Sequence, residues 1–319
     1  MRAAISALAL IACGALAGTS AAASRPPAQV DTVVEELVVT AATPSPAWWR
    51  VSKGESTVWI LGAPMGPLPK NLKWDQKLLD KRMEGAKALI LPSGATAGIG
   101  DLFGLLRLRG KLKEKAPLEP SLPEPLRVRF VAARTALGKD AGRYDGWTPV
   151  WAGSILQRDY LDQAGLGGGP SIPRLAREAG RRHHVEVQRA THPAMPVLKN
   201  AVGQMQDEEK SLACLAGNLE AVELPPDRYR RAAKGWATGD VRTAIDLPRG
   251  ASICNDLFTE DFTAQSIKDE VEAIAMALET PGSSVAVAPL RQMLVKNGVL
   301  QQLQARGFEI VDPASLTED

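Results

Sequence analysis

Residues 46–66 read PAWWRVSKGESTVWILGAPMG. Two β-rich runs, Trp48 to Val51 and Thr57 to Leu61, flank Lys53-Gly54-Glu55, the composition of a hairpin with a glycine in its turn. The second run ends in Gly62-Ala63-Pro64-Met65-Gly66-Pro67, too rich in glycine and proline to continue a strand, so a loop must follow it. Next, Asp75 to Lys87 carries Leu78, Leu79, Arg82, Met83 and Ala86 near helical spacing, and Ala88 to Leu91 is a wholly apolar run of buried-strand type. Strand, loop, helix and strand in succession imply an α/β layer.

Outward from there the middle of the chain reads as helical. Asp101 to Lys115, Glu124 to Leu137, Trp147 to Ala164 and Ile172 to Gly180 each carry apolar residues at three-to-four spacing. Val185 to Val187 reads as a short strand. Helices are expected over Met195 to Leu219, Asp227 to Ala237, Glu260 to Leu278 and Gln292 to Arg306, with strands at Ser284 to Val287 and Phe308 to Val311. The expected fold is therefore α/β, a central mixed sheet with a large helical middle section, and no repeat of solenoid length interrupts it.

Composition narrows the function classes. The chain has 319 residues, 45% of them hydrophobic, enough for a sizeable core. Its 38 basic and 36 acidic side chains leave no overall excess to drive binding to nucleic acid or an anionic membrane, and nucleic acid is not an expected partner. Met1-Arg2, an apolar run from Ala3 to Gly18 and the small residues Ala21 to Ser24 match a secretory signal peptide over residues 1–23, cut near Ala23. Leu10-Ile11-Ala12-Cys13-Gly14 also resembles a lipid-attachment box, with Cys13 as the anchor. The expected location is periplasmic or secreted. No later stretch has the ~20 apolar residues of a membrane span. Residues 24–46, rich in Pro, Ala and Thr, read as a tether, residues 47–313 as the domain, and 314–319 as a tail. Cys214 and Cys254 are left in the mature chain and read either as a disulfide or as two buried thiols.

Several separate segments resemble the TraB/GumN family. They are Pro46 to Val51, Ser56-Thr57 leading into Leu61-Gly62, Leu68-Pro69-Lys70 with Trp74, Trp151 with Gly165-Leu166, Gly235 to Asp240, and Asn297 to Leu300 followed by Leu303 and Gly307-Phe308. They fall in the family's order from Pro46 to Pro313. The resemblance implies a TraB/Tiki-like (EreA/ChaN-like) architecture. It also implies a divalent metal held by a Gly-x-x-His after the first long strand, a Glu ending the next strand and a second Gly-x-x-His near the C-terminus, with an open position that activates water.

This sequence departs from that pattern at every ligand. The first motif reads Gly62-Ala63-Pro64-Met65, the Glu position is Pro92, and Ala288-Pro289-Leu290-Arg291 leaves Arg291 or Gln292 in place of the second histidine. A thioether is a soft ligand, a proline side chain has no donor atom, and a guanidinium repels a cation. The expectation is a decayed hydrolase site without a catalytic set, metal or cofactor. Arg291 there would favour a small anionic ligand.

Other constellations compete. His183, His184 and His192 with Glu186 are the only set that could supply a different metal site for a hydrolase or peptidase, although His183-His184 beside Arg181-Arg182 also reads as a cationic helix C-terminus. Gly165 to Pro170 lacks the Lys-Ser/Thr ending of a phosphate loop. Arg107, Arg109, Lys111, Lys113 and Lys115 read as a solvated surface. Trp48, Trp49 and Trp59 in the hairpin read as core or as an aromatic patch. Val33 to Thr40 (VVEELVVT) resembles the leading segment of TonB-dependent receptor plugs, which implies an envelope protein as an alternative partner, taken by strand addition.

Overall fold

The computed structural model describes residues 45–169, 171–248 and 250–313. The signal, Cys13, the Val33 to Thr40 segment and the tail after Pro313 lie outside them.

The hairpin forms as its residues dictate. β1 (Trp48–Lys53) and β2 (Ser56–Ala63) pair antiparallel with Trp48 opposite Leu61 and Lys53 opposite Ser56. Gly54 turns the chain at φ +56°, a conformation that costs other residues a Cβ clash. Ser45 and Pro46, at the end of the presumed tether, are already buried. Then come α1 (Lys77–Met83), β3 (Ala88–Ile90) and β4 (Gly94–Thr96). The helical middle holds α2 (Leu102–Gly110), α3 (Leu118–Ser121), α4 (Glu124–Ala136), α5 (Pro149–Gln163) and α6 (Ile172–Arg182). β5 (Glu186–Gln188) and β6 (Thr191–Pro193) lead into α7 (Ala194–Gln204), α8 (Glu208–Glu223), α9 (Pro226–Ala237), α10 (Val241–Ile245) and α11 (Gly250–Leu278). β7 (Gly282–Pro289), α12 (Leu290–Leu294), α13 (Val299–Ala305) and β8 (Glu309–Val311) close the fold.

The main sheet has the order β5-β3-β7-β2-β1-β8 and is mixed: β5, β3, β7 and β2 run parallel, while β1 is antiparallel to both β2 and β8. β4 and β6 form a separate parallel pair. Val285, Ala286, Val287 and Ala288 are each no more than 1% exposed, so β7 is covered on both faces, as parallel strands between helical layers are. α11 packs on β2, β3 and β7; α1 and α6 pack on each other and on β7. A second core, built on Phe130, Tyr144, Leu156, Leu215 and Leu219, holds the helical middle together.

Two helices expected to be continuous are broken. The run from Met195 splits at Met205–Asp207, where the Asp207 carboxylate accepts the Lys210 backbone N–H at 3.0 Å and starts α8 as its N-cap. The run from Gln292 breaks between α12 and α13. There Asn297 has φ +58°, and a Cβ on Gly298 would sit 2.4 Å from the Gln292 carbonyl oxygen, so the backbone doubles back where a helix would carry straight on. α11 starts ten residues before the expected Glu260 and contains one non-helical residue, Thr259 (φ −135°, ψ 25°).

Candidate functional site

Parallel pairing decides where the chemistry can gather. Gly62 stands opposite Ala288 and Ala63 opposite Pro289, so β2 and β7 end together, and the loop after one meets the helix after the other. β3 ends on the same side, with Ile90 opposite Ala286. Ligands of open α/β sheets bind beyond such carboxyl ends.

A cleft of about 260 Å³ opens there. Met65 from the loop after β2, and Arg291 and Gln292 from α12, line it together, all half-buried. Gly62 lies behind it as a packing element. A Cβ on Gly62 would come within 2.6 Å of Leu290 Cδ1 and 3.1 Å of Trp49 Cζ3, and its carbonyl accepts a 2.7 Å hydrogen bond from the buried Trp236 Nε1. Pro92 does not reach the cleft lining. It is half-buried beyond β3, and its carbonyl accepts the Arg189 Nε–H at 2.8 Å.

The rest of the lining comes from helices distant in sequence: Gln157 on α5, Tyr229 on α9, and Asp256 and Thr263 on α11. The last two are seven residues apart and so share a helix face, but the expected helix began after Asp256 and hid that relation. Tyr229 spends its hydroxyl on the Ala221 carbonyl at 2.7 Å, and burial, then the neighbouring Tyr160, push its phenol up to about 12. It is a neutral donor already engaged. Among the described residues the ionisable lining groups are Tyr229, Asp256 and Arg291, and no histidine or cysteine lines the cleft.

The donor chemistry does not fit a divalent cation of the zinc or manganese type. Where the family resemblance implies imidazoles and a carboxylate, this chain carries thioether, carboxamide, guanidinium and proline. The alternative histidine set is not assembled either. His183 Nε2 lies 3.6 Å from Asp80, whose carboxylate also takes Arg182 at 2.5 Å; His184 and Glu186 are exposed; His192 pairs elsewhere. Among the described residues no group of three His, Cys, Asp or Glu is placed to hold a metal.

His192 belongs to a cluster that sequence reading missed. Its Nε2 lies 2.6 Å from Asp269 Oδ2, which also accepts from Ser93 at 3.0 Å, while Gln265 donates to Oδ1 at 2.7 Å. Burial works to raise the Asp269 pKa, but these hydrogen bonds outweigh it and hold the carboxyl below its ordinary range. Ser93 donates to the carboxylate, whereas a nucleophile-to-base relay would have it donate to the imidazole. The cluster ties the segment between β3 and β4, β6 and α11 together. Its signal in sequence was weak, since the short β4 and β6 strands that carry it have no alternating pattern.

Further along the α11 face that bears Thr263, Glu270 is 2% exposed; Ser266 donates to one of its oxygens and the other has no protein partner. Burial, with a smaller contribution from Asp269, pushes its carboxyl up to about 8. Cys214 on α8 and Cys254 on α11 form a disulfide, Sγ to Sγ 2.03 Å. Trp48 and Trp49 are core, and the Arg82 guanidinium covers Trp59 at 2.9 Å, so no aromatic platform is left open on the hairpin.

A family model described as the TraB/PrgY/gumN family matches residues 47–312. No curated protein and no solved structure matches the chain.

Proposed function

This chain belongs to the TraB/PrgY/gumN family, and on that premise we propose that it is an exported binding protein whose inherited hydrolase site no longer holds a metal. The cleft at the ends of β2 and β7 takes a small ligand carrying an anionic group. One observation supports the reading: Met65, Arg291 and Gln292, which the family resemblance sets at cation-binding positions, line the cleft together, and a thioether, a carboxamide and a guanidinium make a poor set for a divalent cation. Export rests on the signal reading of residues 1–23 and places the mature protein in the periplasm or outside the cell. No helix among the described residues is long and apolar enough to cross a membrane.

The test is elemental analysis of the mature protein purified from metal-supplemented culture, with sequencing of its N-terminus. The expected result is no stoichiometric transition metal and a first residue near Ser24. A metal bound one to one and lost in Met65→Ala or His192→Ala would overturn the non-catalytic reading, and an intact Met1 on protein from the native host would overturn export.

A further inference from the structure

α2 is apolar on two faces. Leu105, Leu108 and Leu112 point inward onto Met195 and Val202 of α7. Ile99, Leu102, Phe103 and Leu106, at i, i+3, i+4 and i+7, form a second stripe that is 96%, 55%, 83% and 55% exposed. Large apolar side chains grouped in this way mark a contact surface, whereas single exposed ones need no explanation.

What covers the stripe is indicated by the charges around it. At about 100° per residue, Arg107 and Arg109 fall on opposite flanks of the outward stripe, and Lys111 and Lys115 follow. All four are exposed and enter none of the ion pairs among the described residues. Lys113 stands over the Trp147 ring at 3.2 Å. Of the two acids in residues 97–115, Asp101 is turned to the Gly98 backbone N–H at 2.8 Å, leaving Glu114 against five cations. The near-neutral total charge of the chain hides this local excess. Gly98 and Gly100 add no side chain to obstruct a flat approach.

An apolar stripe edged on both sides by arginine is the arrangement of a helix lying in a lipid interface, where the apolar residues enter the acyl boundary and the cations meet phosphate headgroups. We propose that Ile99 to Leu106, with Arg107, Arg109, Lys111 and Lys115, is a docking face for an anionic phospholipid surface, which would hold the protein peripherally at a membrane.

Flotation of the full mature chain with phosphatidylglycerol-containing vesicles, compared with phosphatidylcholine alone, tests this. Binding is expected on the anionic vesicles and is weakened by salt. Arg107→Gln with Arg109→Gln should weaken it roughly thirtyfold, and Phe103→Ser with Leu106→Ser at least about tenfold. Both pairs are at exposed positions, and circular dichroism checks that each variant folds. Failure of the folded wild-type chain to float overturns the proposal. So does binding that the serine pair leaves unchanged, which would be charge adsorption alone. Concentration-dependent dimers abolished by the serine pair, without vesicle binding, would assign the stripe to a second copy of the chain and equally overturn it.

Discussion

Glu270 makes stability depend on pH in the direction opposite to most carboxylates. Its pKa stands at about 8 against an ordinary 4.5, chiefly because burial penalises the charged form. Between those values the folded protein keeps a proton that the unfolded chain has released. Stability from this group is therefore fully present below about pH 4.5 and falls as pH rises toward 8. At about 1.4 kcal/mol per pH unit the whole window corresponds to roughly 5 kcal/mol, an upper value if the folded state relaxes around the charge. Glu270→Gln keeps the shape and the acceptor for Ser266 but cannot ionise. Urea unfolding at about pH 5 and about pH 8 should give similar midpoints for variant and wild type at the lower value. At the higher value the variant should be more stable by several kcal/mol. Asp159 and Asp269, whose carboxyls are held below their ordinary range, titrate below this window and leave the comparison clean. A variant offset from wild type by the same amount at both ends would refute the argument.

Cys254→Ser should cost about 4 kcal/mol by loop-closure entropy over the 40-residue separation, and dithiothreitol should lower the melting temperature of the wild type while leaving the variant unmoved. Gly62→Ala should lose about 1–3 kcal/mol in urea titration, because its Cβ would enter the space of Leu290 Cδ1 and Trp49; an unchanged midpoint would mean that the strand ends can open without cost.

The first hairpin and the strands at residues 88–90 and 309–311 were legible because local patterns decide them: alternation, apolar runs and a glycine turn. The sheet order was not. β7 inserts between β2 and β3, and the β2–β7 pairing joins residues more than two hundred positions apart, a distance over which no local signal acts. The broken helices failed for a different reason. Asp207 is the first of three consecutive acids in sequence, yet it caps α8, and capping depends on backbone position more than on composition. At the site, Met65, Arg291 and Gln292 were reached through the family resemblance and not through local pattern, and the parallel pairing of β2 with β7 brings them to one cleft. Tyr229, Asp256 and Thr263 could not, since their meeting depends on how helices of the second layer lean over the sheet edge.

The ends of β2 and β7 answer two separable demands. The backbone there is fixed by packing: Gly62 admits Leu290 and Trp49, and its carbonyl anchors Trp236, which meets Trp74 edge-on at 5.3 Å. None of these contacts involves the side chains of Met65, Pro92, Arg291 or Gln292. Substitution at Arg291 and Gln292 can therefore change the chemistry of the cleft while these contacts stay in place, whereas Met65 also packs against the core and Pro92 lies outside the lining. A chain can thus match its family from residue 47 to residue 312 while, as we propose, its cleft no longer suits a divalent cation. On the proposed reading, histidine at positions 65 and 291 would not by itself restore metal affinity, because the cleft would still lack a carboxylate from position 92, which lies outside its lining.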